Sequence, residues 1–273
     1  LGMPSFTLLG SGIIKRHYTQ PYALGHEIVH SWIGNDVFNR AERGNWVEGL
    51  TTYLANYYWH ELMGDRAQAQ EQRRLMVQSY NLHVPPERDY PVAQFTQKLD
   101  EHDNAIGYQK AAMLFHLLRQ EVGEETFWRA LKKLVTQYHG RHAEWRDLER
   151  VFAEESRQDL RWFFAQWLEQ DGAPVLSLPE ATARPVAGKP AQTFQLEATI
   201  VQSNKPFRFP LQVRIRMENG REQVLTVPLR LPREAISVTL PARPIAIDLD
   251  PEFMTIRRIA RQSLPPVLNH YVT

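Results

Sequence analysis

The hydrophobic and polar positions of this chain follow one period in its first part and another in its second. Up to about residue 175, apolar residues recur every three or four positions, which is the spacing of an amphipathic helix. Helical spacing, or a clear helix stop, marks residues 22–33, 48–63, 105–122, 124–138, 144–154 and 158–168. Residues 5–14, ahead of these segments, are apolar and partly β-branched, which predicts a strand. We therefore expect a mostly α-helical first part.

Beyond this part the apolar residues alternate with polar ones. Residues 181–190 are rich in Ala, Pro and Gly and predict a linker. Alternation then follows in residues 207–217, 227–231, 236–240 and 245–249, with the hairpin signal Asn219-Gly220 after the first run. This pattern predicts an antiparallel β-sandwich. The chain is thus expected to be an α+β protein of two domains, residues 1–178 and 179–273.

The amino-acid composition limits the possible binding partners and metal ligands of the chain. The 273 residues are 43% hydrophobic and 23% charged with a formal net charge of +1, which gives no bulk electrostatic case for nucleic acid or an anionic membrane. No apolar run is long enough to cross a bilayer. There are no cysteines, so a metal would have to be held by His, Asp or Glu.

The chain begins Leu1-Gly2-Met3, with neither an initiator Met nor a signal peptide. We expect it to be a piece of a longer protein, with the remaining domains of that parent as its partners. Its compartment is therefore left open.

The strongest motif is in residues 26–30, which read His-Glu-Ile-Val-His. Two histidines four apart on a helix lie on one face, so both can reach one ion. Glu27 lies roughly 100° around the helix, where it can flank a metal-activated water as a general base. The alternative for the bare motif is a helix whose histidines are packed or capped.

A catalytic zinc needs a third protein ligand and an open position for water. Ile33 and Asp36 stand where the metzincin extension requires Gly and His, so that class is excluded. Glu48 opens the next predicted helix and is the candidate ligand. The alternative is a helix-start carboxylate stabilised by the helix dipole.

Taken together, these residues resemble the M1 family of zinc aminopeptidases, within the gluzincins. The resemblance rests on His26, Glu27, His30, Trp32, Gly34-Asn35, Glu48-Gly49, Thr52-Tyr53, residues 106–111 (Ile-Gly-Tyr-Gln-Lys-Ala), Trp167-Leu168 and residues 172–174. It covers residues 1 to about 178 and extends more weakly to the β-half. It implies a thermolysin-like catalytic domain followed by a β-sandwich, with the family's N-terminal β-domain missing.

The resemblance also implies roles. His26, His30 and Glu48 would bind one Zn²⁺, and Glu27 would take a proton from the attacking water and carry it to the leaving amine of a peptide substrate. Tyr108 would donate a hydrogen bond to the developing oxyanion, a task that suits a phenol. The alternative for Tyr108 is a tyrosine at the edge of the core, and Lys110 is expected to be solvated.

Two departures from the family pattern matter. Residues 31–47 are one residue shorter than the family's usual spacing, and Val47 replaces an Asn, which leaves Glu42 or Asp36 as alternative ligands. The family's substrate strand, Gly-x-Met-Glu-Asn, matches residues 2–6, where Pro4 stands near the place of the glutamate that grips a free α-amine.

Three functions follow from these observations. The first is a zinc metallopeptidase, aminopeptidase-like but with uncertain recognition of the substrate amine. The second is a non-catalytic zinc-binding scaffold that binds peptides or protein partners, motivated by the two departures. The third is a zinc hydrolase of a non-peptide bond, which the sequence does not separate from the first.

Overall fold

The structure, a computed structural model, describes residues 1–15, 22–187 and 193–260. The chain forms two compact units, Leu1–Gly172 and Ala173–Thr273. None of the helices in the described residues combines the length and the apolar character that a membrane span requires. The domain boundary expected after residue 178 falls within the first strand of the second unit.

The first unit is mostly helical. It opens with a two-stranded hairpin, β1 (Gly2–Met3) and β2 (Phe6–Thr7). Its α-helices are α1 (Ser11–Lys15), α2 (Leu24–Val29), α3 (Val47–Thr52), α4 (Trp59–Leu62), α5 (Arg66–His83), α6 (Glu101–Asn104), α7 (Ala111–Val122), α8 (Glu124–Gln137), α9 (Trp145–Ser156) and α10 (Arg161–Trp167). Short 3-10 turns lie at Ala41–Arg43, Pro86–Arg88 and Val92–Gln94.

Two longer helices of this unit contain a wider π-helical turn of six residues. Tyr53–Tyr58 joins α3 to α4, and Ala105–Lys110 joins α6 to α7, so each belongs to a longer continuous helix. Single π-helical turns inside α-helices are frequent at functional sites. The helices expected at 48–63 and 105–122 are therefore confirmed, with an irregularity that their periodicity did not show.

Of the strand expected at residues 5–14, only Phe6–Thr7 forms one. The chain turns back at Pro4-Ser5, pairs for two residues and then starts α1, where Gly10 O accepts hydrogen bonds from Ile13 N and Ile14 N. A run of β-branched residues needs a partner strand to become a strand, and here only Gly2–Met3 offers one.

Helix α5 was not identified as a segment of its own. Its buried face carries Gln72, Arg73 and Gln78 among its apolar residues, so the apolar period is interrupted. Arg73 Nη1 donates to Tyr57 Oη over 3.0 Å, which satisfies the buried guanidinium inside the unit.

Helices α3 and α7 pack closely because small residues face each other. A Cβ added at Gly49 would lie 2.4 Å from Ala111 Cβ, which is closer than real atoms approach. Large aromatic side chains fill the surrounding core, and each fully buried one contributes about 1.5–3 kcal/mol. Fully buried examples are Trp46, Tyr53, Tyr57, Phe115, Phe127 and Phe152.

In the second unit, the described strands form two three-stranded antiparallel sheets. One has the order β3 (Leu176–Pro185), β4 (Phe194–Gln202), β7 (Arg233–Leu240); the other has the order β6 (Glu222–Leu229), β5 (Phe209–Met217), β8 (Pro244–Leu249). The alternation of β5 is confirmed, because Phe209, Leu211, Val213, Ile215 and Met217 are all buried. The turn at Asn219-Gly220 links β5 to β6, with Gly220 at φ 77°.

The linker expected at residues 181–190 is wrong where the structure describes it. Residues 181–185 complete β3, an edge strand that tolerates Pro185 because an edge backbone need not donate on its outer side. Residues 188–190 lie outside the described residues.

The close contact between α3 and α7 gives a stability prediction. Gly49→Ala should lower the free energy of unfolding of the chain by about 1–3 kcal/mol, since the added methyl overpacks against Ala111. Gly25→Ala is the matched control: its Cβ would lie 3.8 Å from Ala55 Cβ, so the change should be neutral or stabilise by about 0.5–1 kcal/mol. Urea unfolding followed by circular dichroism measures both, and equal effects would contradict the packing described.

Candidate metal centre

Helix α2 presents both motif histidines to one side. The His26 and His30 rings meet edge to face, with centroids 4.8 Å apart. His30 Nδ1 lies 2.9 Å from Ile33 O, and because a carbonyl only accepts, the hydrogen must be on Nδ1. This leaves His30 Nε2 unprotonated in the neutral ring, with a lone pair available to a metal.

Glu48 reaches both rings from the start of α3. Its Oε2 lies 3.1 Å from His26 Nε2 and 3.4 Å from His30 Nε2. The neighbouring Trp46 anchors the helix start, since it is fully buried and its Nε1 donates to Ala143 O over 2.8 Å. Asn45 Oδ1 accepts from Val47 N and caps the same turn. The shorter segment before Glu48 therefore does not prevent its carboxylate from meeting the histidines.

The structure separates the alternative ligands from this cluster. Glu42 is exposed in the 3-10 turn Ala41–Arg43, and Asp36 Oδ1 lies 2.7 Å from His139 Nδ1. Among the described residues, the ligand atoms of His26, His30 and Glu48 all lie within 4.8 Å of one another.

A second group with metal-ligand chemistry caps helix α6. Asp100 accepts from Asp103 N, Asp103 accepts from Tyr90 Oη and Leu99 N, and His102 Nε2 lies 2.9 Å from Arg88 O. These polar atoms already bind one another. The group serves as the start of helix α6, with Asp100 as its N-cap.

The pKa shifts in the cluster indicate a site that favours a positive charge. Burial opposes ionisation of Glu48, but hydrogen bonds from His26 and His30 lower its pKa to about 2. Burial would likewise lower the pKa of His30, but the hydrogen bond to Glu48 and the charge of that carboxylate raise it. Both shifts reflect attraction between the Glu48 carboxylate and a positive charge at the histidines.

Glu27 lies beside this cluster rather than in it. It belongs to α2 one position after His26, its side chain is 18% exposed, and its carboxylate is outside the group of three. Its charge still acts on the site, because it adds to the raised pKa of both His30 and Tyr108.

Tyr108 faces the cluster from the π-helical turn Ala105–Lys110. Its ring stacks on His26 with centroids 6.0 Å apart and planes 17° apart, and Phe95 meets its ring edge-on at 5.9 Å. Burial, the charge of Glu48 and a hydrogen bond with Glu48 raise the pKa of Tyr108 well above its usual value. The phenol thus keeps its proton at neutral pH and remains a donor.

The hairpin that matches the family's substrate strand lies directly on α2. A Cβ at Gly2 would be 2.6 Å from Glu27 O and 2.8 Å from His30 Cβ, and Asn35 Nδ2 donates to Gly2 O over 3.0 Å. Gly2 thus allows the strand to approach the histidine helix. Pro4 lies in the exposed turn of this hairpin and offers no carboxylate.

Lys110 corrects one expectation. It is not solvated but 2% exposed, and its Nζ lies 3.3 Å from Asp89 Oδ1. Sequence reasoning also missed Phe95, which packs against the Tyr108 segment: a Cβ at Gly107 would lie 2.3 Å from the Phe95 ring. The sequence around Lys110 and Gly107 gives no sign of Asp89 or Phe95, because each of these two residues lies in a loop distant in sequence.

In the chain, a mostly helical unit with a His-His-Glu cluster precedes a unit of antiparallel sheets, which is an α+β architecture. The Peptidase family M1 domain model matches residues 15–167, more than half of the chain. The chain therefore belongs to peptidase family M1.

Relatives agree with this assignment. Aminopeptidase 2, mitochondrial, of Saccharomyces cerevisiae is 26% identical over 57% of this chain and 17% of its own length. Aminopeptidase N of Lactococcus lactis subsp. lactis is 28% identical over 56% of this chain and 19% of its own length. The chain thus spans about a fifth of the length of these curated relatives.

A solved structure shares the fold. The crystal structure of Legionella pneumophila aminopeptidase A in complex with aspartic acid aligns over 85% of this chain and 26% of its own chain, with a TM-score of 0.60 and 24% identity. The α+β fold is thereby confirmed.

The charge pattern of the cluster predicts how the stability of the metal-free chain depends on pH. The lowered pKa of Glu48 contributes stability above its ordinary value of 4.5 that is lost as pH falls toward about 2. The raised pKa of His30 contributes stability below 6.5 that is lost as pH rises through the folded value. Both contributions are therefore present together between pH 4.5 and 6.5.

In chelator-treated protein, Glu48→Gln should lower the free energy of unfolding most within that window, by up to about 3 kcal/mol, and less at pH 3 and at pH 8. Denaturant unfolding at several pH values measures this difference. The exposed Glu42→Gln is the control and should differ from the unmodified chain by less than about 0.5 kcal/mol throughout. A loss in Glu48→Gln that is the same at every pH would contradict the coupling.

Proposed function

We propose that this chain carries the active site of a zinc-dependent peptidase that cleaves peptide bonds with a metal-activated water. The observation that carries the proposal is the convergence of His26 Nε2, His30 Nε2 and Glu48 Oε2 on one point, with contacts of 3.1 and 3.4 Å. Membership of peptidase family M1 supports the reaction class.

The donor set fits a single Zn²⁺. Imidazole nitrogen and carboxylate oxygen are ordinary zinc ligands, and three protein ligands with a further open position are typical of catalytic rather than structural sites. The Nδ1–H of His30 is held by Ile33 O, which is the outer hydrogen bond that orients a ligating histidine. We propose His26, His30 and Glu48 as the ligands.

When bound, zinc supplies a Lewis acid that makes water a nucleophile at neutral pH. Glu27, one position around the helix from the ligands, takes the proton of the attacking water and passes it to the leaving amine. Tyr108, protonated because of its raised pKa, donates a hydrogen bond to the substrate carbonyl oxygen as negative charge develops there.

The substrate class we propose is peptides with a free amino terminus, since the relatives named above are aminopeptidases. Pro4 in the hairpin supports a modification of this proposal: the carboxylate that pairs with the substrate amine is supplied from elsewhere than this turn. A buried ammonium requires such a partner. The remaining domains of a longer parent are our candidate source.

A second function is favoured by the presence of Pro4 near the place of the amine-binding glutamate. Without the amine-binding glutamate, the chain would serve as a zinc-binding scaffold that holds peptides or partners without cleaving them. The presence of Glu27 beside the cluster argues for catalysis, since metal binding alone has no need of it. A hydrolase of a non-peptide bond would share the same residues and differ in its substrate.

Metal content tests the ligand set. The chain, purified gently and dialysed against zinc, should contain close to one zinc per molecule by elemental analysis. Glu48→Gln should weaken zinc binding by at least about 100-fold, because losing even an outer-shell partner typically costs about 10–100-fold.

Two controls address the alternative ligands. Glu42→Gln and Asp36→Asn should keep the zinc, since both carboxylates lie outside the cluster. Loss of zinc from either control, with retention in Glu48→Gln, would overturn the assignment of the third ligand.

Activity assays on the zinc-loaded chain test the chemistry. With a panel of short peptides and fluorogenic amino-acid amides, Glu27→Gln should lower kcat by about 10²–10⁴-fold because the general base is lost. Tyr108→Phe should lower kcat by about 10²–10³-fold because an oxyanion donor is lost. Both variants should bind zinc as the unmodified chain does, and zinc binding without any hydrolysis by the unmodified chain would favour the scaffold.

A further inference from the structure

We propose that the buried ion pair between Lys110 and Asp89 is a positioning device that holds Tyr108 against the metal centre. This inference rests on the proposed function, in which Tyr108 acts on the substrate carbonyl. It assigns to Lys110 and Asp89 a role through Tyr108 and no direct contact with substrate.

The pair joins several parts of the first unit at one point. Lys110 Nζ lies 3.3 Å from Asp89 Oδ1, with side chains only 3% and 2% exposed. Asp89 Oδ2 also accepts hydrogen bonds from Tyr80 Oη and from Gly172 N, the latter over 3.1 Å. Lys110 Nζ lies 5.1 Å above the Tyr80 ring. The helix that carries Tyr108 is thereby tied to α5 and to the end of the unit.

The position of Lys110 along its helix is what relates it to catalysis. It is the last residue of the π-helical turn Ala105–Lys110, and Tyr108 is two residues earlier. Residues two apart on a helix point to nearly opposite sides. Tyr108 therefore faces His26 while Lys110 holds the helix from behind.

A wide turn of this kind needs to be held. A π-helical turn contains one residue more than the α-helix would, and relaxation to α-helix would rotate and shift every side chain before the released residue. Phe95 packs on Gly107 in the middle of the turn, and the ion pair holds its end. Without the pair, the Tyr108 ring would lose its fixed stacking on His26.

Stability alone does not account for such a pair. The free energy of removing two charges from water can exceed the Coulombic attraction that the pair gains. Replacing a buried pair with well-packed apolar residues is therefore often neutral or stabilising. In some proteins a buried polar group is kept because it fixes a unique register. The register is what Tyr108 requires.

The test removes both charges together, so that neither is left buried alone. Lys110→Met shortens that side chain by one atom, and Asp89→Asn keeps its length and an acceptor for Tyr80 and Gly172. In the zinc-loaded chain we expect kcat to fall about tenfold or more, because small misplacements of a catalytic group are costly, while KM and zinc content change less than about twofold. In a Tyr108→Phe background the same double substitution should change kcat less than about twofold.

An equal fall of kcat with and without the Tyr108→Phe substitution would show a merely structural role and overturn the proposal, as would no fall at all. Lys110→Gln with Asp89→Asn is the milder variant, because it removes both charges and keeps a hydrogen bond between the two side chains, and it should shift kcat in the same direction by a smaller factor if the first double variant folds poorly. Asp159→Asn with Arg161→Met neutralises an exposed surface pair at the start of α10 with the same two kinds of substitution and should leave kcat unchanged.

A readout without activity separates this proposal from the proposed function. In protein labelled with ¹³C on its tyrosine rings, the Tyr108 signal is assigned by its absence in Tyr108→Phe. It should move or split in the Lys110→Met, Asp89→Asn variant and stay in place in the surface-pair control. If the chain hydrolyses nothing, a moved Tyr108 signal still supports the positioning role, and an unmoved one overturns it.

Discussion

Two imidazoles and a carboxylate share one small volume, and most of the helical unit serves to keep them there. Glu48 Oε2 lies within 3.4 Å of both Nε2 atoms, an arrangement that a positive charge between the groups stabilises. The lowered pKa of Glu48 and the raised pKa of His30 both reflect this preference for a positive charge. A zinc ion supplies it in the proposed function.

The packing around the cluster follows from this requirement. Helix α3 must start at a defined place, so Trp46 is buried with its indole N–H bonded to Ala143. It must also approach α7 closely, and Gly49 against Ala111 permits that approach. A glycine within a helix costs conformational entropy, and a buried indole N–H costs desolvation. Both kinds of residue lie next to the cluster in this unit.

The π-helical turns Tyr53–Tyr58 and Ala105–Lys110 both belong to helices that carry proposed site residues. One follows Glu48 at Tyr53–Tyr58, and the other contains Tyr108. Behind the first, Glu61 binds Arg73 and Arg119 in a buried network; behind the second, Asp89 binds Lys110. Both helices that carry these turns are thus tied to neighbouring helices or loops by ion pairs that are wholly or partly buried.

Much of this protein could be predicted from its sequence, because the decisive signals are local. The change of period near residue 175, the hairpin at Asn219-Gly220 and the His-x-x-x-His spacing each depend on the geometry of one helix or one strand pair. The tertiary structure decided what depends on distant partners: that Glu48 rather than Glu42 or Asp36 meets the histidines, and that Lys110 is buried. It also decided that residues 181–185 form an edge strand and that most of residues 5–14 do not form one. Local periodicity determines which face a side chain takes, but only the packing of remote segments determines what that face meets.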